Sequence, residues 1–297
     1  MIARTVSFTS RGKLSLTNNQ LVWDGADGRH ATMPVEDIGF VLLESDQISV
    51  TSAALRFLTE HNVALVVCDK SHTPSAQLLA YAPHTTAAET IEVQLAATEA
   101  VRGRLWRKIC RQKILNQAAL MARLKADKVE RLRELADAVK NGDPSNCEGQ
   151  AARLYFHALA PDGFVRDRDG VWPNAALNYG YAILRAAVAR AIVGSGMVCF
   201  NGVHHHNRYN AFALADDLME PYRPFVDQYI FGKVRPFDVP VHELERVHKA
   251  RLLEMLTCDV RLGEKLRPLM IALSYTTGSL VRYFKGETDD IQLPSFI

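Results

Sequence analysis

Three segments carry residue types that do chemistry. The first is Asn146-Cys147-Glu148-Gly149-Gln150, where Glu148 stands at the start of a predicted helix. A carboxylate in a first helical turn sits at the positive end of the helix dipole, which favours its ionised form and its readiness to hold a cation. The same glutamate completes Ser145-x-x-Glu148, the pattern of a capping box, in which it folds back onto a free backbone N–H. The two roles compete for the same oxygens, and from this segment alone capping is the commoner outcome.

The second segment is Gly202-Val203-His204-His205-His206-Asn207. Neighbouring side chains diverge in helical or extended chain, so at most one or two of the three histidines reach a common ion. A neutral imidazole acting as a metal ligand is the specific role to test. The third is Asp216-Asp217-Leu218-Met219-Glu220-Pro221-Tyr222-Arg223-Pro224. On a helix Asp216 and Asp217 share a face with Glu220, where like charges repel by roughly a few tenths of a kcal/mol unless a cation or base neutralises them. Pro221 removes a backbone donor and kinks such a helix. An exposed acidic turn answered by Arg223 is the plain alternative.

A fourth segment is basic. Arg102, Arg104, Arg107, Lys108, Arg111, Lys113, Arg123, Lys125 and Lys128 face the single acid Asp127, a local excess of eight positive charges. Such a stripe neutralises phosphates by releasing condensed counterions, or it is a solvated helix face. Trp106 within it is a candidate for stacking on a base and, more commonly, a core residue.

The elements that must position these residues change character near residue 80. Before it, Lys13–Thr17 and Gln20–Trp23 flank Asn18-Asn19 as a hairpin. Phe40–Leu43, Ile48–Val50 and Val63–Val67 look like further strands, with a short helix capped by Thr51 or Ser52 running to about His61. Lys70–Pro83 reads as a connection. Beyond it, 86–139 favours one or two long helices, another starts near Ser145 or Asn146, a third runs from Pro173 to about Val193, and more cover 213–230, 240–257 and 261–284. The expected class is α+β: a small, mainly β domain over 1–80, then an all-helical domain over 81–297.

Composition bounds the rest. The chain has 297 residues, 48% hydrophobic and 23% charged, which excludes disordered, collagen-like and coiled-coil classes. A net charge of +2 is too mild to announce a nucleic-acid partner, so the distribution of charge matters more than its total. Cys68, Cys110, Cys147, Cys199 and Cys258 are scattered and odd in number, which suggests reduced thiols. No signal-peptide core opens the chain and no apolar run approaches the roughly 18 residues that span a bilayer, so a soluble cytoplasmic protein with no membrane partner is expected.

Taken together, Glu148 at a helix start, Gly202-Val203-His204-His205 and Asp217-Leu218-Met219-Glu220-Pro221-Tyr222-Arg223-Pro224 resemble the CRISPR-associated protein one family, the adaptation integrase. Leu177-Asn178-Tyr179-Gly180-Tyr181-Ala182-Ile183-Leu184 and Arg190-Ala191-Ile192 are similar as well. Members from type II systems share Gly-x-His-His followed by Asp-Leu-Met-Glu-Pro, and that register selects His205. The resemblance implies a catalytic and metal-binding set of Glu148, His205 and Glu220, with Asp217, His204 and His206 as further candidates. Many relatives carry aspartate at the position of Glu220.

Two carboxylates and an imidazole suit Mg²⁺ or Mn²⁺ better than structural Zn²⁺. The implied reaction is attack by the 3′-hydroxyl of a captured DNA fragment on a phosphodiester at the edge of a CRISPR repeat. The implied partners are double-stranded DNA, a second copy of the chain joined partly through the β domains, CRISPR-associated protein two, and the type II effector nuclease. Arg153, Arg166 and Arg168 join the basic stripe as candidate DNA contacts, with Asn178 and Tyr181 as supports. A metal-dependent repair nuclease and a non-catalytic architectural DNA-binding protein are the two alternatives.

Overall fold

Strands form where the sequence alternates. In the computed structural model, which describes residues 4–81, 84–167, 170, 172–233 and 244–297, Arg4–Phe8 (β1) precedes the hairpin of Gly12–Thr17 (β2) and Gln20–Gly25 (β3). Asn18 and Asn19 turn it at φ 49° and 59°. Two left-handed residues match the twist of the flanking strands, and asparagine tolerates that region. His30–Pro34 (β4), Ile38–Leu43 (β5) and Ile48–Val50 (β6) follow. Thr51 then caps Ser52–Glu60 (α1) by accepting the Ala54 N–H, and Ala64–Cys68 (β7) returns through the middle.

The stretch expected as a connection contains another strand, Pro74–Leu78 (β8), antiparallel to β7. Asp69 makes the turn between them, its Oδ1 accepting the N–H groups of Ser71 and Thr73. The polar residues there serve a hairpin rather than a linker. The strands form two sheets, ordered β1-β5-β7-β8 and β4-β3-β2-β6. The first has two faces with different partners: Phe40, Leu42, Ala64 and Val66 enter the large core with the helices, and Val41, Leu43 and Leu65 enter a smaller one with Leu14, Leu21, Trp23 and Leu58.

The helical region is more broken than its composition suggests. Ala87–Leu95 (α2), Glu99–Arg123 (α3) and Val129–Ala138 (α4) replace the expected one or two helices. Thr98 accepts the Val101 N–H and restarts the chain as α3, while Lys125 and Lys128, at φ 54° and 68°, end it and open α4. Cys147–Leu159 (α5) and Asn174–Gly194 (α6) lie where they were expected. The helix expected over 213–230 is divided into Ala213–Leu218 (α7), a 3₁₀ turn at Glu220–Tyr222, Arg223–Asp227 (α8) and a wider turn over Gln228–Lys233. Pro221 and Pro224 each remove a backbone donor, which explains the division. Arg246–Leu253 (α9) fills part of the helix expected over 240–257, of which residues 240–243 lie outside the described residues.

The second region is not all-helical, contrary to expectation. Asp259–Leu262 (β9) and Lys265–Pro268 (β10) form a hairpin, and Pro294–Ser295 (β11) pairs on the other edge of β9. The helix expected from residue 261 begins only at Leu269 (α10, Leu269–Phe284). Burial in β9 alternates residue by residue, and Gly263 turns at φ 61°. The period is therefore two, not 3.6, until Pro268 closes β10. The α6 helix meets the first sheet through polar contacts as well as packing: Gln77 Nε2 donates to the Ala186 carbonyl at 2.9 Å. Among the described residues no helix is long and apolar enough to cross a membrane, and all five cysteines are free.

Candidate active site

Glu148 is not spent on capping. The cap of α5 is Asn146, left-handed at φ 49°, whose Oδ1 accepts the Gly149 N–H at 3.0 Å. Asp143 supplies the rest: its two carboxylate oxygens accept the N–H groups of Cys147 and Glu148, each at 2.9 Å. The orphan donors of the first turn are thus satisfied by other residues. A Cβ at Gly149 would lie 2.5 Å from Asn146 Oδ1, so this cap needs glycine there. The side chain of Glu148 is left to project from the first turn, where it ion-pairs with Lys113 of α3.

Lys113 does not face solvent with the rest of the basic stripe: only 5% of it is exposed, and its ammonium contacts both Glu148 and Glu220. Burial disfavours its charged form, but Glu220 and Glu148 outweigh that and hold its pKa above the ordinary value. Glu220 follows the same logic with the opposite sign. Burial pushes its pKa up, and Arg223 together with Lys113 brings it below the usual carboxylate range. Arg223 reaches Glu220 Oε1 at 3.0 Å from one turn on.

The short turn that carries Glu220 is fixed from α3. Asn116, 1% exposed, donates through Nδ2 to the Pro221 carbonyl at 2.7 Å and to the Pro294 carbonyl at 2.9 Å. One amide therefore ties the glutamate's turn to the edge strand β11.

His205 is held by a different acid. Asp217, fully buried, accepts the N–H groups of Val203 at 2.6 Å and His204 at 2.8 Å on Oδ2, and its Oδ1 contacts His205 Nδ1. A carboxylate next to Nδ1 requires the proton there, which leaves the Nε2 lone pair as the imidazole's ligand face. The hydrogen bond from Asp217 raises the His205 pKa against the opposing effect of burial. Asp217 thus orients His205 and the loop before it. Gly202 makes room for this, since a Cβ there would lie 2.5 Å from the His205 carbonyl and 2.9 Å from Asp217 Oδ2. His204 stacks on Trp106 with ring centroids 4.3 Å apart and planes 3° from parallel, while His206 is exposed. Trp106 is 3% exposed, so it is a core residue that braces the histidine loop rather than a surface platform.

The two glutamates share one cation, and His205 lies against Asp217. Among the described residues no three His, Cys, Asp or Glu side chains converge on one point. The donor set nonetheless fits a hard divalent ion. The two carboxylates close around the ammonium of Lys113, and carboxylates with a nearby imidazole are the donor types that such an ion takes.

A cleft of about 520 Å³ opens beside Glu148 and Lys113, walled by Arg153, Arg166, Phe156, Phe164 and Tyr181. The guanidiniums of Arg166 and Arg223 lie 5.5 and 4.7 Å from the Tyr181 ring. Arg166 also donates to Asn178 Oδ1 at 2.7 Å. Asp227, 1% exposed, accepts the hydroxyls of Tyr155 and Tyr181 at 2.8 and 2.7 Å. Burial pushes its pKa up to about 6, against the lowering effect of those hydroxyls.

The basic stripe divides. Arg104, Arg107, Lys108 and Arg111 line a second groove of about 720 Å³ on the outer face of α3. Arg102 instead donates to the Gly202 carbonyl at 2.7 Å, and Arg123 donates to the Ile297 carbonyl. Lys108 and Arg111 are paired with Asp290 and Asp137, each at 2.9 Å. Arg168 lies outside the described residues. Asp143, Asn116, Asp227 and the bridging position of Lys113 were not anticipated. The one available signal was that Lys113 shares the helical stripe of Trp106, Cys110 and Gln117, which is the buried face of α3.

A family model described as CRISPR associated protein Cas1 matches residues 6–236. The chain is 41% identical over 228 residues to the CRISPR-associated endonuclease Cas1 of Neisseria meningitidis, covering 76% of this chain and 74% of that protein. It is 30% identical over 280 residues to one from Pyrobaculum aerophilum, covering 86% and 88%. Two solved structures share the fold. A casposase bound to integration product superposes with a TM-score of 0.79 at 17% identity, covering 98% of this chain and 92% of that one. A Cas1 protein from Thermotoga maritima gives 0.73 at 15% identity, covering 95% and 97%.

Proposed function

The chain belongs to the Cas1 family, the integrase and endonuclease of CRISPR adaptation, and from that premise we propose that Glu148, Glu220 and His205 are the residues through which it joins captured DNA to a CRISPR array. The observation that carries this reading is the meeting of Glu148 and Glu220, far apart in sequence, on a single buried cation.

In the joining step a P–O bond forms between the fragment's 3′-oxygen and the phosphorus at the repeat edge. The bond from that phosphorus to the 3′-oxygen of the adjoining array strand breaks. The proton of the attacking hydroxyl ends on the departing oxygen, and the number of phosphodiesters is unchanged. Glu148, Glu220 and His205 Nε2 would hold Mg²⁺ or Mn²⁺, which supplies positive charge against the charge that builds on the phosphoryl group. In the neutral ring Asp217 holds the proton on Nδ1, which leaves the Nε2 lone pair free. Arg153, Arg166 and Arg223 give the cleft beside Glu148 a cationic wall for the DNA backbone, and Arg104 and Arg107 extend positive charge along α3. The partners that fit this reading are double-stranded DNA, a second copy of the chain meeting it through residues 1–80, CRISPR-associated protein two and a type II effector nuclease, in the cytoplasm.

The test is strand joining on a branched DNA that mimics half-integrated product, with Mn²⁺ present or chelated. Glu148→Gln, Glu220→Gln and His205→Ala are each expected to cut joining by about a hundredfold or more, beyond the loss of an outer-shell partner. Wild-type rates in these variants would overturn the assignment. Cutting without resealing would identify a repair nuclease, and binding with every strand unchanged an architectural protein.

A further inference from the structure

The place where a divalent ion is expected already holds a positive charge. Lys113 projects from the buried face of α3, its side chain 7% exposed, with its ammonium against both Glu148 and Glu220. Counting Arg223, paired with Glu220 at 3.0 Å, the cluster holds two negative and two positive charges and is neutral as it stands. A divalent cation added to it would leave a net charge of about +2 in a largely buried place, where charges a few ångströms apart interact far more strongly than in water. One of the resident cations must therefore leave.

Arg223 is the poorer candidate. Its guanidinium is packed over the Tyr181 ring as well as paired. Lys113 has a flexible stem and a point charge with no planar fork to hold it in register. It also lines the adjacent cleft of about 520 Å³. The ammonium has room to withdraw to, and the exposed Asp162 supplies counter-charge among the arginines of that cleft.

We infer that Lys113 is an internal counter-cation, which clamps Glu148 and Glu220 together in the metal-free protein and must withdraw into the cleft before a divalent ion can bind. This rests on the assignment of those two glutamates as ligands. It makes Lys113 a positioning residue that weakens metal binding while stabilising the fold without metal.

The experiment is Mn²⁺ binding to the full chain at neutral pH, read by the electron paramagnetic resonance of free Mn²⁺, with thermal denaturation in chelator alongside. Lys113→Met and Lys113→Gln are expected to tighten the Mn²⁺ Kd by about tenfold or more, since a competing charge in contact is gone. Both are expected to melt below wild type in chelator and to regain more than wild type does on adding Mn²⁺. The Gln variant keeps a donor for the carboxylates, so it carries the test if the Met variant fails to fold. Unchanged or weaker binding in the Lys113 variants, with Glu148→Gln and Glu220→Gln weakened, overturns the counter-cation and leaves the site standing. Unchanged binding in all four variants overturns both.

Discussion

Replacing Asp217 by asparagine separates the two tasks of that carboxylate. Its Oδ2 accepts the Val203 and His204 N–H groups at 2.6 and 2.8 Å, and its Oδ1 faces His205 Nδ1. An asparagine oriented with its oxygen in the place of Oδ2 keeps both backbone bonds, at the cost of their charge assistance, about 1 kcal/mol each. Its NH₂ then meets His205 Nδ1, which must become an acceptor, so the imidazole proton moves to Nε2 and the ligand face is lost. Asp217→Asn is therefore expected to lose only about 1–3 kcal/mol of stability, while strand joining falls as far as in His205→Ala. Asp217→Ala strands both N–H groups and is expected to cost roughly 2–6 kcal/mol.

The assays are thermal denaturation, strand joining, and nitrogen NMR of the His205 ring to read its tautomer. The acid limb of activity follows the same reasoning. Asp217 lifts the His205 pKa above its ordinary 6.5, so activity in the wild type should fall as pH drops through a value above that. In Asp217→Asn the titration of the ring should move down. An Asp217→Asn protein that folds and joins strands within a few-fold of wild type would refute the tautomer argument.

Asn116→Ala should cost about 2–4 kcal/mol, because the buried carbonyls of Pro221 and Pro294 both lose their donor, and hydrogen exchange should rise in β11 and in the turn carrying Glu220 together. Asp227 has its pKa raised by burial from 3.8 to about 6, so the folded state binds the extra proton. Any stability it contributes is complete below its unfolded pKa and is lost as pH rises through about 6. Asp227→Asn should therefore gain on wild type, in denaturation midpoint, between pH 5 and pH 7.5; an unchanged difference would show the carboxylate to be compensated.

What the sequence made legible was governed by short-range rules. The Asn18-Asn19 hairpin, the Thr51 cap and the uninterrupted run of α6 each depend on a few adjacent residues. Glu148, Glu220 and the histidine loop were visible as residue types, though not what each one touches. The capping box failed by one residue, because Asp143 and Asn146, both left-handed, supply the acceptors that Ser145 and Glu148 would have supplied. Strands β8 and β9 were missed because their stability comes from partners, β7 in one case and β10 with β11 in the other. Lys113 was misread because a basic residue within a basic run carries no mark of which way it faces except its phase on the helix.

The two-faced sheet has a consequence for how its strands find their places. In most strands a slip by one residue is prohibited because it turns an apolar face to water. Every residue of β5 is buried, so the same slip would exchange one apolar face for another, and hydrophobicity alone sets little penalty against it. Alignment must come from groups that recognise a single partner. Ser7 Oγ donates to Glu44 Oε1 at 3.0 Å, the Glu44 N–H donates to the Phe8 carbonyl at 2.9 Å, and His72 Nδ1 donates to the Glu44 carbonyl at 3.0 Å. One glutamate at the end of β5 is thus contacted by the strand on one side and by the β7–β8 turn on the other. Only the Ser7 bond depends on the Glu44 side chain, so Glu44→Ala removes one pin, while the two backbone bonds survive any substitution there except proline at the donor position.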